Sequence, residues 1–248
     1  MISPQSLITL FRQALSECWG YIWGTAGEAW TEAKQKVLEK TTDENRAQGR
    51  AYGSKWTGHT VADYRGLFSW AFKKLGGYMY HGSDTMYKKY CTDKGELKKG
   101  KRTDRGTLKP GTAVFVWNGS TYSHVGLYIG GNTVIEAMST INGVTTSRVT
   151  AGKWTHWGEL SGVDYAAENS QLNTEIPGTI RQGSKGEPVR KCQTILDRLG
   201  YDLGSWGVDG DFGKDTLAAV KAFQKEHGLA VDGIVGKLTW RELMNNES

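Results

Sequence analysis

Long apolar runs are missing from this 248-residue sequence. No stretch approaches the roughly 18 consecutive apolar residues of a membrane-spanning helix. Cysteine is scarce: Cys18, Cys91 and Cys192 are odd in number and widely spread. That argues against a disulfide framework and against the paired spacing of a zinc site, so all three are read as reduced thiols. No cluster of histidines and acids forms a metal-ligand pattern, and no glycine loop is built to cradle phosphate. Neither a metal nor another cofactor is expected. The balance of 31 Lys and Arg against 26 Asp and Glu leaves a net charge of only +5. With the basic residues scattered among acids, nucleic acid is not an expected partner, whereas mild attraction to an anionic surface is. No oligomerisation heptad is present, so a monomer is expected. The first residues, MISPQSLITLFRQALSECWG, lack the basic start, continuous apolar core and cleavage site of a secretory signal. Leu7, Ile8, Phe11, Leu15 and Trp19 recur there at helical spacing instead, which predicts an amphipathic first helix.

What is present changes character near residue 166. Residues 167–177 are polar and weakly patterned and run into Pro177-Gly178, as a linker would. This divides the chain into domains at 1–166 and 178–248. The second domain carries an internal repeat. Val208-Asp209-Gly210 leads to Gly213 and Thr216, and Val231-Asp232-Gly233 leads to Gly236 and Thr239, each position offset by 23 residues. Asp-Gly favours a tight turn, because glycine accepts positive φ and aspartate bonds back to nearby amides. Each turn precedes a helix, striped by Leu217, Val220 and Phe223 in the first copy and by Leu238 and Leu243 in the second. An earlier helix carries Val189, Cys192, Ile195, Leu196 and Leu199, with Cys192 read as a small core residue. This three-helix pattern, with its duplicated turn and its Ala-Phe-Gln-Lys run, resembles the bacterial peptidoglycan-binding module over residues 178–245. The resemblance implies cell-wall glycan or stem peptide as the ligand. Trp206 is open to two readings, a face for stacking on sugar or a core side chain.

In the larger domain, VADYRGLFSWAFKKL (61–75) suits a helix with Ala62, Leu67, Trp70, Ala71 and Leu75 as its buried stripe. Asp63 suits its N-cap, which puts Tyr64 in the first turn. The run AVFVW within 108–117, then SHVGLYIGGN (123–132) and TVIEAMS (133–139), read as strands, the last two joined antiparallel through Gly130-Gly131-Asn132. His124 and Glu136 on neighbouring strands make a possible general-base pair, with the carboxylate taking the Nδ1 proton.

A helix N-terminus followed by strands bearing His124 and Glu136, together with Gly20-Tyr21-Ile22-Trp23-Gly24, His-Val-Gly-x-Tyr-Ile-Gly and Trp154-Thr155-His156-Trp157-Gly158, resembles the NlpC family of papain-like cell-wall cysteine peptidases. The resemblance covers roughly residues 5–165. It implies an α+β papain-like fold with an antiparallel sheet, beside the three-helix module. It also implies stem-peptide amide bonds as substrate, His124 as base, Glu136 as the group that orients it, and Tyr21 along the substrate cleft; Trp23 and Arg65 are read as substrate-binding beside it. Residues 27–55 look like a helical insertion. The family's helix begins Asp-Cys-Ser-Gly-Leu; here it reads Asp63-Tyr64-Arg65-Gly66-Leu67. The nucleophile position is therefore Tyr64. A phenol of pKa about 10 is roughly thirtyfold less ionised than a thiol of about 8.5. Its oxygen also lies on the order of 4 Å further from the backbone. Loss of a catalytic nucleophile typically costs on the order of 10⁶ in turnover.

Three readings follow: a wall-binding protein on a peptidase scaffold, an active enzyme with a relocated nucleophile or with Tyr64 itself attacking, or a lytic enzyme carrying an inactivating change. Cys18 is the least poor replacement nucleophile, its other reading being a buried residue of the first helix. His156 reads as structural, His59 as a possible lining of the cleft, and His81 and His227 as loop and helix-end residues. A wall-binding module beside a peptidase-like domain without a signal looks like a phage or prophage lysin, held in the cytoplasm until host lysis and then acting at the cell wall.

Overall fold

A computed structural model of the chain describes residues 1–166 and 176–245; all but the last two residues of the expected linker at 167–177 lie outside them. The chain divides into two compact units, Met1–Ile129 with Thr133–Tyr165, and Gly130–Asn132 with Ala166–Ser248.

The first unit opens with α1 (Pro4–Ser16). Ser3 caps it, its hydroxyl accepting from the Ser6 amide at 3.0 Å, and Pro4 stands where a missing amide costs no helical bond. Leu7, Ile8, Phe11 and Ala14 form its buried face. Two short strands, β1 (Ala26–Ala29) and β2 (Thr60–Ala62), pair antiparallel. Between them lie α2 (Glu32–Glu39) and α3 (Ala47–Tyr52), so the expected insertion is helical and closed by a ribbon.

The next helix, α4, spans Tyr64–Lys74. It starts directly after Asp63, as the expected cap requires, while Val61 and Ala62 pair with β1. Its inner face is Leu67, Phe68, Trp70, Ala71 and Phe72. Phe68 meets Phe11 of α1 edge to face at 4.8 Å. Burying each such side chain contributes roughly 1.5–3 kcal/mol. Gly66 has a specific reason: a Cβ there would collide with the Thr25 carbonyl, so this helix start packs against the preceding loop through bare backbone.

After α5 (Ser83–Tyr90) come β3 (Cys91–Lys98), β4 (Lys101–Arg102), β5 (Ala113–Trp117), β6 (Tyr122–Gly130), β7 (Thr133–Ser139), β8 (Gly143–Arg148) and β9 (His156–Leu160). They form one seven-stranded sheet in the order β4-β3-β9-β5-β6-β7-β8. The turn between β6 and β7 has positive φ at Gly131 (52°) and Asn132 (63°), as a tight hairpin requires. Alternation sends Ala113, Phe115, Val125, Leu127, Ile135 and Ala137 to the face packed by α1 and α4. Val114, Val134, Trp154 and Trp157 form a separate cluster. Both faces of the central strands are thus covered, which explains the unbroken apolar run of β5.

The second unit contains α6 (Glu187–Arg198), α7 (Lys214–Glu226) and α8 (Lys237–Asn245). Val189, Cys192, Ile195, Leu196, Val220, Phe223, Trp240 and Leu243 are its core. Leu238 is not part of it: at 63% exposure it faces solvent, and Trp240 fills the core instead. Trp206 is also outside the core, at 79% exposure. The repeat has a polar skeleton. Gln193 Nε2 donates to Asp209 Oδ1 at 2.8 Å and to Thr216 Oγ1 at 3.0 Å, while its Oε1 accepts from the Gly210 amide at 2.7 Å. Gln224 does the same with Asp232 (2.9 Å), Thr239 (3.2 Å) and Gly233 (2.8 Å).

Candidate functional site

The site is built where α4 begins against β6 and β7. Asp63 is fully buried and caps α4, its Oδ1 accepting from the amides of Arg65 (2.9 Å) and Gly66 (2.7 Å). Its Oδ2 accepts from the Gly24 amide at 2.8 Å, which ties the Tyr21–Gly24 segment to the helix start. His81 Nε2 lies 2.9 Å from Oδ1. Burial pushes the Asp63 carboxyl up, but hydrogen bonding and charge from His81, the Gly66 amide and the charge of Arg65 together hold it below its ordinary value.

Tyr64 projects from the first turn of α4 toward His124 of β6 and the Tyr21 segment. Its ring lies 4.7 Å from the His124 ring, edge-on, and 6.3 Å from the Tyr21 ring, stacked. Burial raises the Tyr64 phenol above its ordinary 10; Arg65 opposes that shift and Asp63 adds to it. A phenol in this position is neutral at physiological pH and is a poor nucleophile. The Arg65 guanidinium sits 5.3 Å over the Trp23 ring and 5.1 Å over Tyr64, and also reaches Asp63 Oδ2 at 3.3 Å. Arg46, from the insertion, lies 5.8 Å from the Trp23 ring centroid. Tyr64, His124, Glu136, Tyr21, Trp23 and Arg65 are thus brought together from a helix, two strands and a loop.

The pairing of His124 with Glu136 uses the other ring nitrogen from the one expected. Nε2, not Nδ1, meets Glu136 Oε2 at 2.6 Å. Adjacent strands set the distance, and the ring lies nearly parallel to Trp154 with centroids 5.7 Å apart. Glu136 is buried, and Lys153 Nζ donates to both of its oxygens at 2.6 Å. Burial raises this carboxyl, yet the bonds from His124 and Lys153 bring it below its ordinary value. A charged carboxylate held this way fixes the imidazole ring, the arrangement of a base and its orienting group.

Sequence reasoning missed Lys153 and the role of His81. Neither has a local signal, since their partners lie 17 and 18 residues away in the chain and no helical or strand period connects them. Cys18 is neither buried nor helical: it is exposed, lies beyond the end of α1, and has a φ of 52°. Its thiol points to the Ser16 carbonyl at 3.9 Å. His59 is exposed and packs edge-on against Trp56 at 5.8 Å. His156 lies between Tyr87 (5.4 Å) and Tyr122 (5.0 Å), with burial lowering its pKa, as suits a structural ring. Among the described residues no group of three or more His, Cys, Asp or Glu is placed to hold a metal ion, and no helix is long and apolar enough to cross a membrane.

Residues 185–243 match the peptidoglycan-binding domain family. An N-acetylmuramoyl-L-alanine amidase of Bacillus licheniformis is 37% identical over 82 residues, 33% of this chain and 23% of the relative. A zinc D-Ala-D-Ala carboxypeptidase of Streptomyces albus G is 41% identical over 66 residues, 27% of this chain and 26% of the relative. The chain spans about a quarter of the length of each. Among solved structures, the P60 domain of an antigen from M. avium subspecies paratuberculosis is 19% identical, with a TM-score of 0.40, covering 62% of this chain and 94% of that one. The NlpC/P60 family model matches residues 34–160, just over half of the sequence and the part that contains Asp63–Leu67, His124, Glu136 and Lys153, and the chain belongs to the NlpC/P60 family.

Proposed function

We propose that this chain is a peptidoglycan-binding protein on an NlpC/P60 hydrolase scaffold that does not cleave peptide bonds by the family's thiol mechanism. One observation carries the reading: the Tyr64 ring occupies the nucleophile position against His124 and Tyr21, with a phenol made less acidic by burial. Acyl transfer requires an atom that attacks the carbonyl while the imidazole takes its proton. Here no thiol or hydroxyl of serine type stands at the helix start; a ring packed against His124 and Tyr21 stands there instead. In this proposal 1–166 is the peptidase-like domain, 167–177 the linker and 178–248 the binding module. Tyr21, Trp23 and Arg65 line the altered cleft, where Arg65 offers a cation to wall carboxylates. A monomer released at host lysis, as a phage or prophage lysin would be, fits the same reading.

The preserved His124–Glu136–Lys153 assembly favours a second reading, a lytic enzyme silenced at positions 64 and 65 alone. Purified peptidoglycan incubated with the chain as written, with Tyr64→Cys/Arg65→Ser, and with that pair plus His124→Ala separates the possibilities. The expected result is no soluble muropeptide from the chain as written. Release by the unaltered chain would overturn the proposal and make Cys18→Ala and Tyr64→Phe the next variants.

A further inference from the structure

The two copies of the repeat share a skeleton and differ on their surface. The skeleton positions are identical: Asp209 and Asp232, Gly210 and Gly233, Thr216 and Thr239, each set held by one buried glutamine. Three surrounding positions at the same 23-residue offset change character, Trp206 against Leu229, Asp211 against Ile234 and Asp215 against Leu238, while Lys214 and Lys237 are the same. In the second copy Leu229 packs against the module core. In the first, Trp206 stands in water at 79% exposure beside a groove of about 450 Å³. The groove is lined by Trp206, Asp209, Asp211, Lys214, Asp215 and Gln193. An indole left in water forgoes the burial that its large apolar area favours, which points to a ligand that covers it.

We infer that this groove of the first repeat is a glycan subsite, with an N-acetylated sugar ring of the wall stacked on Trp206. The inference rests on the wall-binding reading above and names the ligand class of the second domain. Carboxylate oxygens accept hydrogen bonds from sugar hydroxyls and from an acetamido N–H, while Lys214 donates. Two of the groove's three carboxylates have a cation beside them, Lys185 for Asp211 and Arg190 for Asp209. Lys185 pairs with Asp211 at 2.6 Å, and the Arg190 guanidinium donates to the Val208 and Asp209 carbonyls at 3.1 and 3.0 Å. A neutral ring with many hydroxyls suits such a surface better than a charged stem peptide. The second copy, with Leu238, Val231 and Ile234 exposed, lacks both the indole and the two acids.

The test uses the full chain. Sedimentation is measured with intact peptidoglycan, with peptidoglycan stripped enzymatically of its stem peptides, and with soluble N-acetylglucosamine oligomers as competitor. The variants are Trp206→Ala, Trp206→Phe and, as an exposed apolar position of the second copy, Leu238→Ala. Truncation of an aromatic anchor is expected to weaken retention about tenfold or more. Trp206→Phe should keep most of it, Leu238→Ala should behave as the parent, and the oligomers should displace the protein. All variants should melt with the parent. Retention of Trp206→Ala within about twofold of the parent removes the glycan site. So does loss of binding when the stem peptides are stripped, which would place a charged peptide there. A parent that does not sediment with intact peptidoglycan removes the wall-binding reading as well, so the two failures are distinguishable.

Discussion

Asp63 carries several loads at once. It caps α4, holds the Gly24 amide and pairs with His81, all from a position with no exposure. Asp63→Ala removes the cap and strands buried amides, so a loss of about 3 kcal/mol in urea unfolding at pH 7 is expected. Its pH dependence has a definite sign. The folded carboxyls of Asp63 and Glu136 both titrate below their unfolded values. Their contribution is complete above the unfolded pKa of about 4 and is lost as pH falls through the folded one, where the unfolded chain binds more protons. Melting temperature should therefore drop steeply below about pH 4. Asp63→Asn should be less stable at pH 7, with a shallower acid limb. Lys153 is the other residue of consequence: Lys153→Met takes from the buried Glu136 the cation that donates to both of its oxygens and should cost about 1–2 kcal/mol, less than a wholly buried pair because the lysine is partly exposed.

Among elements, the start of α4 and the β6–β7 hairpin decide the site. A helix N-terminus favours negative charge and would lower the pKa of a thiol placed there. Tyr64→Cys with Arg65→Ser restores a thiol at that end, beside an imidazole already oriented by Glu136. Peptide release that depends on His124 is the expected gain, read by mass spectrometry of the soluble products. In the module, the glutamines are the elements' common brace. Gln193→Leu leaves the Gly210 amide without its acceptor and the Thr216 oxygen without its amide donor, and a loss of about 2 kcal/mol is expected, with Gln224→Leu similar. The sequence repeat marked the Asp-Gly turns but not these braces. Gln193 and Gln224 are 31 residues apart and so fall outside the 23-residue offset. Likewise β3 and β9 escaped sequence reading. CTDKGELK is charged and polar, and becomes a strand through its pairing with β9, where Glu96 meets His156 and Gly95 meets Trp157.

For the whole molecule, the net charge of +5 is a long-range term and the Trp206 surface a short-range one. Attraction of a basic chain to an anionic wall is screened within about 8 Å at physiological ionic strength. Retention on peptidoglycan should weaken as sodium chloride rises and then level off, because stacking and hydrogen bonding to sugar survive screening. Sedimentation of the parent and Trp206→Ala across a salt series reads both parts. The parent should keep a salt-resistant fraction that the variant loses.

The sequence alone determined the two-part organisation, the helix cap at Asp63, the strands bearing His124 and Glu136, and the tyrosine at the start of α4. Those features are local: caps, turns, alternation and an internal repeat act over a few residues, and composition shifts at the junction are visible in the chain itself. Only the tertiary structure decided which nitrogen of His124 meets Glu136, that Lys153 and His81 complete the two carboxylate sites, that Leu238 faces water while Trp240 fills the core, and that Trp206 is bare. Each depends on distances between residues far apart in sequence, and hydrogen-bond geometry and burial exist only once the elements have packed.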